Sequence, residues 1–365
     1  MTRDRFDFEE DFHQDRKESR KERKRLTEAD RSKFKKTEKK TEKATTDESL
    51  AKGLVVAITG EGTWVEHEEK RYVCTLKGGL KKEKLLVKNV VAVGDFVRFE
   101  KTSPTEGSII QIEERFSTLA RTEIRGQKEQ LIAVNIDQVV IVAPLVEPPL
   151  KPALIDRYLI AAIKGNIRPI IAINKMDLLS TSPSEAERYR EFLTAYEPLG
   201  FPIVSLSTLN GTGIDALRSL LKGKTTVFAG QSGVGKSSLL NAAFGFSLKT
   251  GDLAQKTFKG THTTTTASLI TLPGGGHVVD TPGIRSFNLW NLKKEEVMHH
   301  FQDLQKLRCR FPDCSHKIEP GCGVLKALQE GTVPLMRYES YCSLLDEAIG
   351  GADNWTKKKL DPEEE

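Results

Sequence analysis

The sequence predicts a multi-domain chain: an all-β barrel, then a central α/β core on a mostly parallel sheet, then a metal-binding segment. Three observations predict it. From Gly53 to about Glu113, short apolar runs are separated by glycine-containing turns. From Val139 onward, strand-like and helix-like stretches alternate, the pattern of a parallel sheet flanked by helices. Near the C-terminal end, Cys309, Cys314, His316 and Cys322 crowd together as C-x4-C-x-H-x5-C.

The chain has 365 residues, enough for about two or three domains. No apolar run approaches membrane-spanning length and nothing resembles a secretory signal. A cytoplasmic location without a membrane partner is therefore expected, and a monomer.

Residues 1–50 are dominated by charge, as in Arg20-Lys21-Glu22-Arg23-Lys24-Arg25. Such a segment cannot bury enough apolar surface to fold alone, so a disordered or partly helical arm is expected. Acidic residues nearly balance the basic ones. A solvating tail and an arm touching RNA phosphates both remain open.

In the barrel region, Leu54-Val55-Val56-Ala57-Ile58, Tyr72-Val73-Cys74-Thr75-Leu76 and Asp95-Phe96-Val97-Arg98-Phe99 read as strands. Gly60-Glu61-Gly62, Lys77-Gly78-Gly79 and Val93-Gly94-Asp95 read as turns. This pattern, with lysines in the loops, suits a small five-stranded barrel that binds oligonucleotides. Trp64, Tyr72, Phe96 and Phe99 could stack bases, although core packing is the commoner fate of such residues.

The next elements carry chemistry. Ile170-Ile171-Ala172-Ile173 reads as a buried strand, with Asn174, Lys175, Met176 and Asp177 at its carboxyl end, where open α/β sheets bind ligands. Alone, this tetrapeptide could be an ordinary turn. A second strand, Phe201-Pro202-Ile203-Val204, leads into Ser205-Leu206-Ser207, where a short loop can touch the edge of a base. A third, Thr226-Val227-Phe228-Ala229, leads into Gly230, Gln231, Ser232, Gly233, Val234, Gly235, Lys236 and Ser237. These eight match the phosphate-loop pattern, and Ser238 continues into a stretch with helical spacing.

Glycines let successive N–H groups turn inward onto phosphate oxygens, and the helix N-terminus adds partial positive charge. Lys236 should reach the β- and γ-phosphates, and the Ser237 hydroxyl should ligate Mg²⁺. Base choice then falls to the tetrapeptide. Guanine offers N1–H and the N2 amino group side by side, and the single Asp177 carboxylate can accept both. Asn174 could bond the carbonyl edge of the base or brace the neighbouring loop, and the Lys175 stem can lie along the ring. The base reader precedes the phosphate loop, inverting the usual order of guanine-nucleotide switches. The domain is circularly permuted.

His277-Val278-Val279-Asp280-Thr281-Pro282-Gly283 is a strand running into an acidic turn. Asp280 suits the metal-holding acid and the Gly283 N–H a γ-phosphate sensor. Upstream, Lys259-Gly260-Thr261-His262-Thr263-Thr264-Thr265-Thr266 suits a loop that closes over Mg²⁺ and γ-phosphate, with Thr264 the first choice as metal ligand and Thr265 the second. A plain polar turn is the competing reading. Familiar GTPases place a water-orienting glutamine just after the acidic turn, where this chain has Ile284. His262 is the nearest polar candidate for that work; it could equally brace the loop.

Three thiolates and one imidazole satisfy tetrahedral zinc, and a closed set of four protein ligands signals one structural Zn²⁺ on Cys309, Cys314, His316 and Cys322. Pro312-Asp313 and Glu319-Pro320-Gly321 supply tight reversals. Cys74 and Cys342 read as lone small residues.

With these motifs in this order, residues 52–350 resemble the circularly permuted ribosome-biogenesis GTPases of bacteria, the RsgA/YjeQ type. The resemblance implies an N-terminal OB barrel, a permuted P-loop GTPase core and a C-terminal helical domain holding zinc. Boundaries are expected at 1–50 (charged extension), 51–118 (OB-fold, RNA-binding), 119–290 (GTPase), 291–350 (zinc-binding) and 351–365 (acidic tail). It also implies hydrolysis of GTP to GDP and phosphate, stimulated by the small (30S) ribosomal subunit and its 16S rRNA, as a checkpoint late in subunit maturation. The family histidine matching His262 is a proposed catalytic residue. The long charged extension departs from the family pattern. A GTP-binding RNA chaperone or assembly module with incidental turnover is the alternative. An adenine-nucleotide enzyme conflicts with Asp177.

Overall fold

The computed structural model describes residues 50–78, 80, 90–122, 129–181, 183–246, 267–280 and 294–360. The barrel comprises β1 (Ala51–Ile58), β2 (Thr63–His67), β3 (Lys70–Leu76), β4 (Phe96–Lys101) and β5 (Glu106–Ile112). Its order is β1-β2-β3-β5-β4, and β4 pairs back onto β1 (Leu54 opposite Phe96) to close it. Four of those pairings are antiparallel, while β3 runs parallel to β5. This closed five-strand, OB-like barrel is the expected fold. Val55, Val65, Tyr72, Cys74, Val97, Phe99 and Ile109 fill it. Tyr72 and Phe99 are thus core residues, while Trp64 and Phe96 stay half-buried. Asp95, fully buried, accepts from Arg115 Nε at 2.7 Å and from Arg115 Nη2 at 2.8 Å.

A hairpin that the sequence did not single out, β6 (Thr118–Thr122) and β7 (Glu129–Val134), joins barrel to core. The core contains β8 (Gln138–Pro144), α1 (Pro152–Lys164), β9 (Arg168–Asn174), α2 (Pro183–Tyr196), β10 (Ile203–Ser205) and α3 (Ile214–Leu221). It continues through β11 (Thr225–Ala229), α4 (Lys236–Phe244), β12 (Ser268–Thr271) and β13 (His277–Asp280). The strand order is β10-β9-β8-β11-β13-β12, parallel except for β12. All seven residues of β8 are buried, as expected for a parallel strand covered on both faces. Alternate side chains feed two layers. Val139, Ile141, Ile171, Ile173 and Val227 pack with α1 and α2, and Val140, Val142, Ile170, Ala172 and Phe228 with α3 and α4. β12 pairs with barrel strand β1 (Ala57 opposite Ser268), so one sheet runs through both parts.

Beyond the core lie α5 (Lys294–His300), α6 (Gln302–Gln305), α7 (Gly323–Gln329) and α8 (Leu335–Leu360). Val297, Phe301, Leu304, Val324, Tyr341 and Leu344 form their core, which also takes in Ile160 from α1. The segment is helical, as expected, and α8 runs past residue 350. No helix among the described residues is long and apolar enough to cross a membrane.

Candidate functional site

The carboxyl ends of β9, β10, β11 and β13 lie on one edge of the core. The chain moves outward from β8 to β9 and β10, then returns to place β11 on the other side of β8. The loop after β11 therefore opens at a topological switch point, where such sheets bind ligands.

That loop, residues 230–235, is shaped by its glycines. Gly230 has φ of 139° and Gly235 has φ of 94°. A Cβ on Gly230 would stand 2.3 Å from the Val142 carbonyl oxygen, and one on Gly235 would stand 2.4 Å from Asn174 Nδ2. Val234 is fully buried and anchors the loop, while Ser232 and Gly233 face solvent. Lys236 at the start of α4 donates to the carbonyls of Gly230 (2.7 Å) and Gln231 (2.8 Å). Its charge thus lies inside the loop. Ser237 and Ser238 are half-buried on the first turn of α4.

The tetrapeptide Asn174-Lys175-Met176-Asp177, expected to read the base, sits beside this loop. Asn174 is 1% exposed, and its Nδ2 donates to the Val234 carbonyl at 2.8 Å. Of the two roles open to Asn174, the brace is the one seen. Asn174 Oδ1 is buried and has no hydrogen-bond partner among the described residues. Lys175 has φ of 64° and its ammonium donates to the Glu147 carbonyl. The Met176 N–H donates to the Leu206 carbonyl at 3.1 Å, and the Leu206 N–H to the Ile173 carbonyl at 2.7 Å, so strand end and neighbouring loop are tied together. Ser205 shares a hydrogen bond of 2.6 Å with Tyr189.

Ser207 ends the loop expected to touch the edge of a base, and in the structure it holds Asp177. Fully buried, its Oγ accepts N–H groups from Leu209 (3.2 Å) and Asn210 (3.4 Å). That leaves its hydroxyl hydrogen for Asp177 Oδ1, to which it donates. Its position two residues beyond Ser205 was visible in the sequence; the contact to Asp177 was not.

Asp280 ends β13, opposite Ser268 of β12 and one residue beyond the Val227–Val279 pair of β11 and β13. It is 1% exposed, and neither carboxylate oxygen has a hydrogen-bond partner among the described residues. Burial pushes its carboxyl up to about 7. Two unpartnered acidic oxygens at the end of a central strand suit a cation. His262, Thr264 and Gly283 lie outside the described residues.

The four C-terminal ligand candidates converge, with all ligand atoms within 4.8 Å of one another. Cys309 Sγ is 3.8 Å from Cys322 Sγ, and His316 Nδ1 is 3.3 Å from Cys309 Sγ and 3.4 Å from Cys322 Sγ. Tetrahedral zinc with Zn–S of about 2.3 Å needs sulfurs about 3.8 Å apart, so this donor set fits zinc. The loop is held from outside. Glu319 accepts from the N–H groups of Ser315 (2.8 Å), Lys317 (3.2 Å) and Ile318 (3.2 Å), and the bonds from Ser315 help hold its carboxyl well below the usual range. Tyr338 and Tyr341 of α8 donate to the carbonyls of His316 (3.0 Å) and Ser315 (3.1 Å).

The family model described as RsgA GTPase matches residues 112–290. A "Small ribosomal subunit biogenesis GTPase RsgA" of Chlorobaculum parvum is 42% identical over 270 residues, covering 71% of this chain and 85% of that protein. The chain belongs to the RsgA GTPase family. Another RsgA protein, from Bacteroides fragilis, is 35% identical over 305 residues, covering 82% of this chain and 98% of its own length. Among solved structures, YjeQ from Thermotoga maritima superposes with a TM-score of 0.66 at 33% identity, covering 82% of this chain and 99% of that one. YloQ, described as a circularly permuted GTPase, gives 0.61 at 28% identity and covers 88% and 100%. As an RsgA-family member this chain is a GTP hydrolase on a P-loop core.

Proposed function

We propose that this chain hydrolyses GTP to GDP and phosphate with stimulation by the small (30S) ribosomal subunit, and acts in the cytoplasm as a checkpoint late in that subunit's maturation. The observation that carries the reading is the gathering of Asp177, Lys236 and the unpartnered Asp280 on one sheet edge. The names of the RsgA relatives supply the setting in small-subunit biogenesis.

In this reading Asp177, oriented by Ser207, accepts the two adjacent guanine donors, and Ser205 and Leu206 line the base edge. Backbone N–H groups of residues 230–238 cradle the phosphates. Lys236 exchanges its two loop carbonyls for phosphate oxygens, which costs little because one set of acceptors replaces another. Ser237, Thr264 and Asp280 hold Mg²⁺. When bound, that ion neutralises charge on the β- and γ-phosphates. The Gly283 N–H senses the γ-phosphate, and His262 orients the attacking water, which Ile284 cannot do. One Zn²⁺ on the Cys3His set orders the C-terminal loop, and the barrel meets 16S rRNA. Parts at 1–50, 51–118, 119–290, 291–350 and 351–365 correspond to extension, barrel, GTPase, zinc module and tail.

Phosphate release measured with and without small subunits tests this. Strong stimulation supports it. GTP bound but released unhydrolysed in both arms favours an assembly module in which the nucleotide is structural, and tighter binding of ATP than GTP overturns the base assignment.

A further inference from the structure

Helix α1 carries two buried polar side chains that face opposite ways, since residues two apart lie about 200° apart around a helix. Asp156, 3% exposed, faces the C-terminal helices. Its carboxylate pairs with Arg337 of α8, and accepts from the Tyr196 hydroxyl at 2.7 Å and from the Ser340 hydroxyl. Arg337, also 3% exposed, donates through Nε (2.9 Å) and Nη2 (3.0 Å) to Asp303 of α6, and its guanidinium stands 4.4 Å from the Phe301 ring centroid.

Tyr158 faces the nucleotide core. It is 3% exposed, belongs to the apolar cluster that includes Ala143, Leu145 and Ala229, and its hydroxyl meets the backbone of Gly230. At the other end, α8 reaches the metal loop through Tyr338 and Tyr341, one and four residues beyond Arg337. A continuous set of contacts therefore runs from the Cys3His loop through α8 and α1 to the first residue of the phosphate loop.

We infer that Asp156, Tyr158 and Arg337 are positioning residues through which the metal module supports the phosphate loop, so that an ordered metal loop tightens nucleotide binding. This rests on the nucleotide site proposed above. A buried ion pair with further hydrogen bonds resists separation, because parting it would strand a charge. It therefore holds α8 on α1 in one arrangement. Gly230 is the point where that restraint counts, since its backbone runs so close to β8 that a Cβ there would stand 2.3 Å from the Val142 carbonyl oxygen.

The test is GDP affinity by calorimetry on the full zinc-loaded chain. Tyr158→Phe deletes a single hydroxyl and should weaken GDP by about 2- to 10-fold, the worth of one hydrogen bond, with zinc content unchanged. It should raise the KM for GTP more than it lowers kcat. Arg337→Met with Asp156→Asn should weaken GDP to a similar extent, and Arg337→Lys should recover part of the loss. Chelating zinc from the wild type should weaken GDP, and should do so less in Tyr158→Phe, where the link is already cut; general instability would not give that non-additivity. By linkage, saturating GDP should raise zinc affinity by the same factor. Equal GDP affinity in wild type, Tyr158→Phe and zinc-stripped protein overturns the inference. Should the wild type prefer ATP, the guanine assignment fails instead, and the same comparison on ATP still decides the coupling.

Discussion

Asn174 Nδ2 donates to the Val234 carbonyl at 2.8 Å, so the residue that opens the base-reading segment also fixes the phosphate loop. In the proposed site the two halves of the nucleotide would be read by one unit. Asn174→Ala would strand a buried carbonyl, at about 1–3 kcal/mol. Melting temperature and GDP affinity should both fall, the latter by about tenfold or more. Gly235→Ala should do comparable harm, because φ of 94° and a Cβ 2.4 Å from Asn174 Nδ2 exclude a side chain there. Wild-type melting and GDP titration curves for both variants would remove the brace.

Asp280 should trade stability against turnover. Its folded carboxyl is raised from 3.8 to about 7. Well below pH 4 both folded and unfolded forms are protonated and no penalty applies. Between about 4 and about 7 the unfolded form ionises first, so the nucleotide-free, metal-free protein loses stability as pH rises across that window. Asp280→Asn should therefore melt higher than wild type at pH 8, lose that advantage well below pH 4, and hydrolyse no GTP with Mg²⁺. Melting curves at several pH values decide this; a stability difference that does not vary with pH would refute it.

Metal removal should act first on α7. Cys322 caps that helix by accepting the Leu325 N–H, and the same sulfur belongs to the metal set. Chelation, or Cys309→Ser, should reduce zinc from one per chain to nearly none and speed amide exchange across 323–329 ahead of β8 and β9. Exchange unaltered in α7 would show that the helix stands without the metal.

His262→Ala should leave nucleotide affinity close to wild type while lowering subunit-stimulated turnover by about 10²-fold or more, the usual worth of a proton-handling group. Single-turnover phosphate release measures it. Unchanged turnover would take His262 out of the chemistry.

Much of the candidate site's framework was legible because each part is local. Apolar runs leading into Asn174, Gly230 and Asp280 announce the strands that end there, and the Cys and His spacing announces a ligand set. What stayed hidden depends on distant pairs. Asp156 and Arg337 are separated by most of the core, and no periodicity joins them. The one sequence hint is an acidic residue within the apolar stretch Leu154-Ile155-Asp156 of α1. Asp95 and Arg115 are hidden for the same reason. Strands β2 and β5 escaped notice because Glu66, His67, Ser108 and Gln111 interrupt their apolar pattern, and closure of the barrel, rather than local preference, holds them extended.

The pairing of β12 with β1 also covers what would otherwise be an open edge of the core sheet. Without the barrel, β12 would be the outermost strand of the core, with its free N–H and C=O groups offered to any passing strand. The barrel is thus the guard rail of the sheet. A core fragment starting after residue 118 should stick to itself, raising light scattering at concentrations where the full chain stays clear. At the far side, β10 spans only Ile203–Ser205, too short a template to need such cover.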